Sequence, residues 1–591
     1  MVGHQYKMIP DKYKPLIYKQ NLSTLYFYFL SSFIVVTFEM LSVGLIPIFA
    51  LSITDNNEII QNFLNNFEIG TFFEKLTKQE IVIFFSIALI SVFLIKNLVI
   101  GWINYLQSKV LRDYKISTAN LLFTYYINKN FKFYLSSNPA TLLRNITTDV
   151  SHAFNYFLAK IKMLRECIII FFILLILISI NPVIHSIAFF VFILVTIMFY
   201  YVYRIALKKR GEEVHRKNST RAKIINETFL MIKEIKVMKK EEYFKGKFNK
   251  INFELENLSF VNQFLITIPR LFIEVTSVLL VTIFSVVLTI SDYSEAYVIS
   301  VITLMVAAGA RFIPGFNVIT SSFSTTRWLQ PSFDLVTKEI SNLIKRDELK
   351  SYEKDLNKQV TFNKHIEIKD LSFSYTDEKI INNIKFAINK GEFIGIFGSS
   401  GGGKTTLINI LLGLLSPSDG QILADGKDIK YSMDNWQKKI GYIPQEVYLL
   451  DASIRENIAM GVDKNNIDQN KIDELINFTN LEGLINNLPQ KSSTNVGFMG
   501  NNISGGQRQR IGIARALYFN PEILIFDEAT SSLDIDNENL ILEKLKKLKN
   551  DKTLIIVSHK KNSLKYCDHI FEIKEKKAHK IINNIKQKNT N

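Results

Sequence analysis

Residues Phe393 to Thr406 read FIGIFGSSGGGKTT, an apolar run with the length of a buried strand leading into a glycine-rich turn and then Gly403, Lys404 and Thr405. The spacing predicts a phosphate-binding loop. Backbone N–H groups can wrap phosphate oxygens only where side chains stay out of the way, which accounts for Gly398, Gly401, Gly402 and Gly403, with Ser399 and Ser400 between them. Lys404 is expected on the β/γ-phosphates and the Thr405 hydroxyl on Mg²⁺. Thr406 leads into the apolar helix LINILLGLL, whose positive N-terminal end points at the anion.

Downstream, PEILIFDEATSSLD supplies a second apolar strand that ends in Asp527 and Glu528. Two carboxylates at a strand exit beside phosphates divide the work: Asp527 supports Mg²⁺ and Glu528 polarises the attacking water. Between the two motifs lies ISGGQRQR, residues 503–510, in which Ser504, Gly505 and Gly506, followed by Gln507, form a second phosphate-sized nest of backbone donors.

At these residues the chain resembles the ATP-binding cassette (ABC) family, with Ile503 where the family's signature usually has leucine. The resemblance implies ATP as the nucleotide, Tyr375 stacked on adenine, and Asp534 as the D-loop aspartate. It also implies Gln445 coupling the metal site to a membrane domain and His559 on the γ-phosphate. In the segment 494–500 the glutamates common among exporters are replaced by Asn495 and Phe498. Glu528 leads us to expect hydrolysis at both sites of a cassette pair, against a nucleotide-gated regulator or channel that binds ATP without turnover.

Composition places a membrane half before this soluble half. The chain has 591 residues, 48% of them hydrophobic, and its 45 phenylalanines concentrate in the first 330 positions. Six apolar segments are expected, at 22–53, 80–107, 164–180, 184–204, 264–290 and 295–323. Residues 204–250 hold fifteen Lys/Arg against six acidic residues, whereas 52–78 hold two against four. The long loops are therefore cytoplasmic, and the net charge of +16 follows from the positive-inside bias rather than from nucleic-acid binding. Two cysteines, Cys167 and Cys567, give no disulfide framework.

The N-terminus is basic and polar without a signal-peptide pattern, and residues 1–20 are expected to form an elbow on the inner membrane face. Residues 21–335 then form an all-α six-helix transmembrane domain, 336–363 a linker, and 364–591 an α/β P-loop NTPase domain of the ABC type. In the outer loop, Ile59, Ile60, Phe63, Leu64 and Phe67 predict an amphipathic helix.

The loop lengths resemble those of type IV ABC exporters. That resemblance implies coupling helices near 130–137 and 226–233, a bacterial inner-membrane location, and a homodimer, since loop and signature meet only across two cassettes. Lys96, Arg270 and Arg311 lie within apolar segments at similar depth, roughly 24–30 Å from the outer ends at ~1.5 Å per residue. In a dimer this predicts a ring of cations suited to a phosphate or pyrophosphate group. The words IPRLFIE and ARFIP resemble bacterial lipid-linked oligosaccharide flippases, with lysine at 96 where arginine is expected. That resemblance implies a polyprenyl-pyrophosphate glycan as an anionic lipid-linked cargo from the membrane. A lipid A-type lipid, a peptide or a drug is the other cargo reading.

Overall fold

The computed structural model describes residues 22–53, 77–180, 213–214, 216–291, 295–352, 360–497, 500–530 and 534–581, with isolated positions between 186 and 198. The N-terminal elbow, the outer-loop helix, most of the fourth apolar segment and Phe498 lie outside the described residues. The chain divides into two compact units, Met1–Asn128 with Ser137–Asp347, and Lys129–Ser136 with Glu348–Asn591.

The first unit is helical. Its long helices are α1 (Leu22–Ile53), α2 (Lys78–Ile127), α4 (Val150–Ile180), α6 (Glu241–Ile290) and α7 (Glu295–Tyr352). The six-residue helices α3 (Phe131–Ser136) and α5 (Ile232–Val237) fall within the loops. Four helices among the described residues are long and apolar enough to cross a membrane: α1, α2, α6 and α7. Thr77 starts α2 with a capping box, its side chain accepting from the Glu80 N–H while Glu80 Oε2 accepts from the Thr77 N–H at 2.8 Å.

Apolar side chains from α1, α4 and α7 form one core, including Val36, Val43, Ile169, Ile173, Ala308 and Phe316. Polar contacts are threaded through this packing. Gln107 on α2 donates to Ser31 on α1 at 3.0 Å, and Ser332 on α7 donates to the buried Asp149 beside α4 at 2.7 Å. Helix α7 continues past position 336, where the sequence suggests a linker, to Tyr352. Val336, Ile340 and Leu343 are all buried at helical spacing, so packing holds the helix through a stretch whose composition alone resembles a connector.

The second unit is built on two sheets. A four-stranded antiparallel sheet orders β1 (His365–Ser374), β2 (Lys379–Asn389), β4 (Asp419–Ala424) and β5 (Lys427–Asp428) as β2-β1-β4-β5. The other sheet contains β3 (Phe393–Gly398), β6 (Ile440–Ile443), β7 (Ile523–Asp527), β8 (Thr553–Val557), β9 (His569–Lys574) and β10 (Lys577–Ile581), ordered β10-β9-β3-β8-β7-β6. All its pairings are parallel except β9 with β10.

The period of two along the central strands sorts their side chains between two cores. Phe393, Leu524, Phe526, Leu554 and Ile556 enter one, while Ile394, Ile396, Ile523, Ile525, Ile555 and Val557 enter the other. Burial on both faces is why these strands read as continuous apolar runs. Phe131 of α3 packs against the second of these cores, which draws Lys129–Ser136 into the same unit as the sheets.

Candidate functional site

Strand pairing brings the site together. β8 lies between β3 and β7, and Val557 is the register partner of both Ile396 and Asp527. The end of the glycine-loop strand and the two carboxylates therefore leave the sheet at one level on its carboxyl edge, where open α/β sheets bind ligands.

The turn after β3 requires glycine where it tightens. Gly403, which caps the helix α8 (Lys404–Leu411), has φ +97°, and a Cβ there would come 2.8 Å from Ile381 Cγ2. Ser399, Ser400, Gly401 and Thr405 are exposed, Gly402 is half-buried, and Gly398, Gly403, Lys404 and Thr406 are buried. Lys404 Nζ donates to the carbonyls of Gly398 and Ser399, both at 3.0 Å. The ammonium is thus folded across the loop it would share with phosphate oxygens.

Glu528 is the point on which the other groups converge. Its Oε2 accepts from Gln445 Nε2 at 3.1 Å and lies 3.4 Å from His559 Nδ1, and its Oε1 lies 3.8 Å from Lys404 Nζ. Gln445 lies beyond β6, His559 just beyond β8 and Lys404 beyond β3, so three strand ends aim at one carboxylate. Glu528 itself has φ +52°, a conformation costly for a residue with a Cβ, and its N–H donates to the Val557 carbonyl at 3.0 Å. The backbone is held in this form by the β8 edge and turns the side chain toward the glycine loop.

Asp527 is almost fully buried and accepts from the Tyr442 hydroxyl at 3.3 Å. Burial pushes its carboxyl above the usual aspartate range, with the charge of Glu528 adding to the rise and Tyr442 and Lys404 opposing it. A buried carboxylate with few compensating donors, on the sheet edge that also carries the exposed Thr405 hydroxyl and Gln445 amide, is a hard-oxygen set that fits Mg²⁺ shared with phosphates. Tyr442 is absent from the sequence reading. Its position three residues before Gln445, on a strand paired with β7, is the signal that finds it.

The Tyr442 contact carries a pH prediction. Tyr442→Phe removes a bond that favours the ionised Asp527, so the Asp527 pKa rises further and the acid limb of the ATPase pH profile moves to higher pH. An acid limb that stays in place or moves to lower pH contradicts this role for the hydroxyl.

The remaining residues lie farther from this cluster. Ser504 caps helix α9 (Gly505–Tyr518) through a capping box with Gln507, whose Oε1 accepts from the Ser504 N–H at 2.9 Å. Among the described residues, no hydrogen bond or ion pair joins 504–507 to 398–406. Asp534 caps helix α10 (Ile535–Lys547), and the Asn537 side chain and N–H hold its carboxyl below the usual range. Tyr375 is exposed, with its ring edge-on to Phe373 at a centroid distance of 4.9 Å. It offers a free face to a flat ligand.

In the helical unit, two of the three cations named from the sequence come together, and acids missed in the sequence meet them. Lys96 Nζ lies 3.3 Å from Glu39 Oε2 and donates to Ser42 at 3.1 Å. Arg311 Nε reaches the same Glu39 oxygen at 3.2 Å, and its Nη2 reaches Glu166 Oε2 at 2.8 Å. Arg270 is exposed on α6, outside this cluster. Within one chain, Lys96 and Arg311, expected to contribute to a ring of six cations in a dimer, are thus held in a paired network on four helices, and Arg270 lies apart from it. The cost of an uncompensated charge among apolar helices favours that pairing.

Comparison with known proteins follows the same division. Residues 381–531 match the family model described as ABC transporter. An ATP-dependent lipid A-core flippase of Syntrophus aciditrophicus (strain SB) is 39% identical over 223 residues, 37% of each chain. The leukotoxin translocation ATP-binding protein LktB of Mannheimia glucosida is 40% identical over 228 residues, 37% of this chain and 32% of the relative. The matches thus span about a third of the curated relatives' length. A solved bacterial Atm1-family ABC exporter with ATP bound superposes over 94% of this chain and 95% of its own with a TM-score of 0.74 at 18% identity, a likeness of fold.

Proposed function

We propose that this chain is an ABC exporter half-transporter, a helical membrane region fused to an ABC ATPase cassette, and that it hydrolyses ATP to move an anionic lipid-linked cargo outward across a bacterial inner membrane. The observation that carries the ATPase part is the convergence of Gln445, His559 and Lys404 on Glu528. In this reading Lys404 exchanges the loop carbonyls for the β/γ-phosphates and Tyr375 stacks on the base. Glu528 holds and polarises water, while His559 and Gln445 fix its orientation. Thr405, Asp527 and Gln445 would hold Mg²⁺, which would supply charge neutralisation to the phosphates.

The site is completed by a second copy of the chain. Ser504, Gly505, Gly506 and Gln507 present the N-terminus of a fourteen-residue helix with no hydrogen bond or ion pair to their own glycine loop among the described residues, which suits them to the nucleotide of a partner cassette. Closure is passed to the membrane helices through α3, whose Phe131 inserts against the cassette core. Phe131→Ala is expected to reduce cargo-stimulated ATPase severalfold while basal turnover remains within about twofold, since the half-buried ring packs on the outside of the core and is not one of its fully buried members. Equal loss of both rates contradicts a coupling role.

The finer cargo reading is a polyprenyl-pyrophosphate oligosaccharide, engaged by Lys96, Arg270 and Arg311. Its test is ATPase activity in liposomes with and without undecaprenyl-pyrophosphate oligosaccharide, for the native chain and the Lys96, Arg270 and Arg311 alanine triple variant. Stimulation lost in the variant supports it. Absent stimulation, or stimulation indifferent to these residues, moves the assignment to a lipid A-type lipid or a peptide.

A further inference from the structure

The cluster around Arg311 holds one more cation than anion. Glu39 and Glu166 face Lys96, Arg311 and also Arg165, whose Nη2 lies 3.6 Å from Glu166 Oε1. Arg165 Nε is buried without a hydrogen-bond partner among the described residues. Two features mark the cluster as built. A single oxygen, Glu39 Oε2, serves both Lys96 and Arg311. Gly315, one turn beyond Arg311, packs its backbone directly against the pair: a Cβ there would touch Arg311 Nη1 and Glu166 Oε2, both at 3.4 Å.

The four helix ends nearest the cluster in sequence are Ile53, Lys78, Ile180 and Glu295, the ends that flank the loops expected on the outer side. At ~1.5 Å per residue the charges lie about 21–27 Å below them. That depth is within reach of lipid headgroups entering from the cytoplasmic side.

We propose that Glu39 is a resident counter-anion that makes the Lys96–Arg311 fork selective for doubly charged, pyrophosphate-class lipid anions over singly charged phosphodiester lipids. This rests on the anionic-lipid reading given above. A phosphodiester headgroup brings one charge, the same as the carboxylate it must displace, so the exchange gains no Coulomb energy and leaves Glu39 unpaired among apolar helices. A pyrophosphate diester brings two charges to the same fork, and the unused Arg165 Nε supplies a further donor. The bulk anionic phospholipid, present in vast excess, is thereby kept from occupying the site. Displacing Glu39 also breaks the ion pair that joins α1 to α7 beside their shared apolar core. Glu39 acts here through Lys96 and Arg311 and is a positioning residue.

The experiment measures ATPase activity of the full-length protein in nanodiscs of phosphatidylcholine with an increasing fraction of phosphatidylglycerol, and separately with undecaprenyl pyrophosphate. The native chain is expected to ignore phosphatidylglycerol. Glu39→Gln is expected to gain a response of about fivefold, the low end of ordinary ligand coupling, and Glu39→Asp, which keeps the charge, to remain indifferent. Thermal unfolding establishes that each variant is folded. Should Glu39→Gln fail to fold, Glu166→Gln frees the other side of Arg311 and is expected to show the same gain.

A folded neutral variant still blind to phosphatidylglycerol, or a native chain that already responds to it, overturns the proposal. The cargo reading fails separately, by absence of stimulation with undecaprenyl pyrophosphate in the native chain. A gained phosphatidylglycerol response in Glu39→Gln then still upholds the counter-anion.

Discussion

Glu528→Gln is expected to lower ATP turnover by about 10²- to 10⁴-fold, the usual contribution of a positioned general base, while ATP still binds. The amide keeps the size of the side chain and its bond to Gln445, but it loses the charge that faces Lys404 at 3.8 Å and His559 at 3.4 Å. Nucleotide affinity depends on the backbone nest and on Lys404, neither of which the substitution removes. The positive φ of Glu528 is a backbone property that glutamine tolerates as well as glutamate, so the fold is expected to persist. Phosphate release measured beside nucleotide binding separates the two effects. A fall in turnover of less than tenfold, or a matching loss of binding, contradicts the role given to this carboxylate.

The second large effect is on stability. Trp436, in the short helix Met433–Lys438, is 1% exposed and donates from Nε1 to the Leu411 carbonyl at 2.7 Å. Its neighbour Gln437 donates to the Leu412 carbonyl at 3.0 Å. Together they satisfy carbonyls left open at the C-terminus of α8, the helix that presents Lys404 and Thr405. Trp436→Ala removes the largest fully buried side chain of that core and orphans a buried carbonyl, a loss of about 3–5 kcal/mol. Amide exchange across 404–412 is expected to speed up by about 10²-fold or more, with weakened ATP binding as a consequence. Unchanged protection there contradicts the account of how the glycine loop is held.

The parts of the site legible in the sequence are the local ones. The glycine loop, the strand ending in Asp527 and Glu528, and the 503–510 nest each fit within fourteen residues, because backbone geometry over a strand, a turn and a helix start dictates their composition. Gln445 and His559 were named through family resemblance, and parallel pairing of β6, β7 and β8 is what carries them to Glu528.

The charge network escaped the sequence reading for a physical reason. Glu39 and Arg311 are separated by 272 positions, and a lone carboxylate in an apolar segment gives no sign of which distant cation it neutralises. From sequence alone Lys96 and Arg311 point toward cargo, whereas helix packing pairs them with Glu39 and Glu166. The reach of α7 was hidden similarly: its residues after 336 look like a polar connector until Val336, Ile340 and Leu343 are seen on one buried stripe.

The account centres on ATP hydrolysis at Glu528 driving lipid movement, and one measurement tests it directly. Proteoliposomes carrying the native chain with its cassettes outward receive ATP, Mg²⁺ and a fluorescent undecaprenyl-pyrophosphate oligosaccharide, and the label left accessible on the cassette side is followed by chemical quenching. The account predicts an ATP-dependent loss of accessible label that stops in Glu528→Gln. Label that moves equally without ATP, or equally in Glu528→Gln, or that stays put while ATP is consumed, would contradict it.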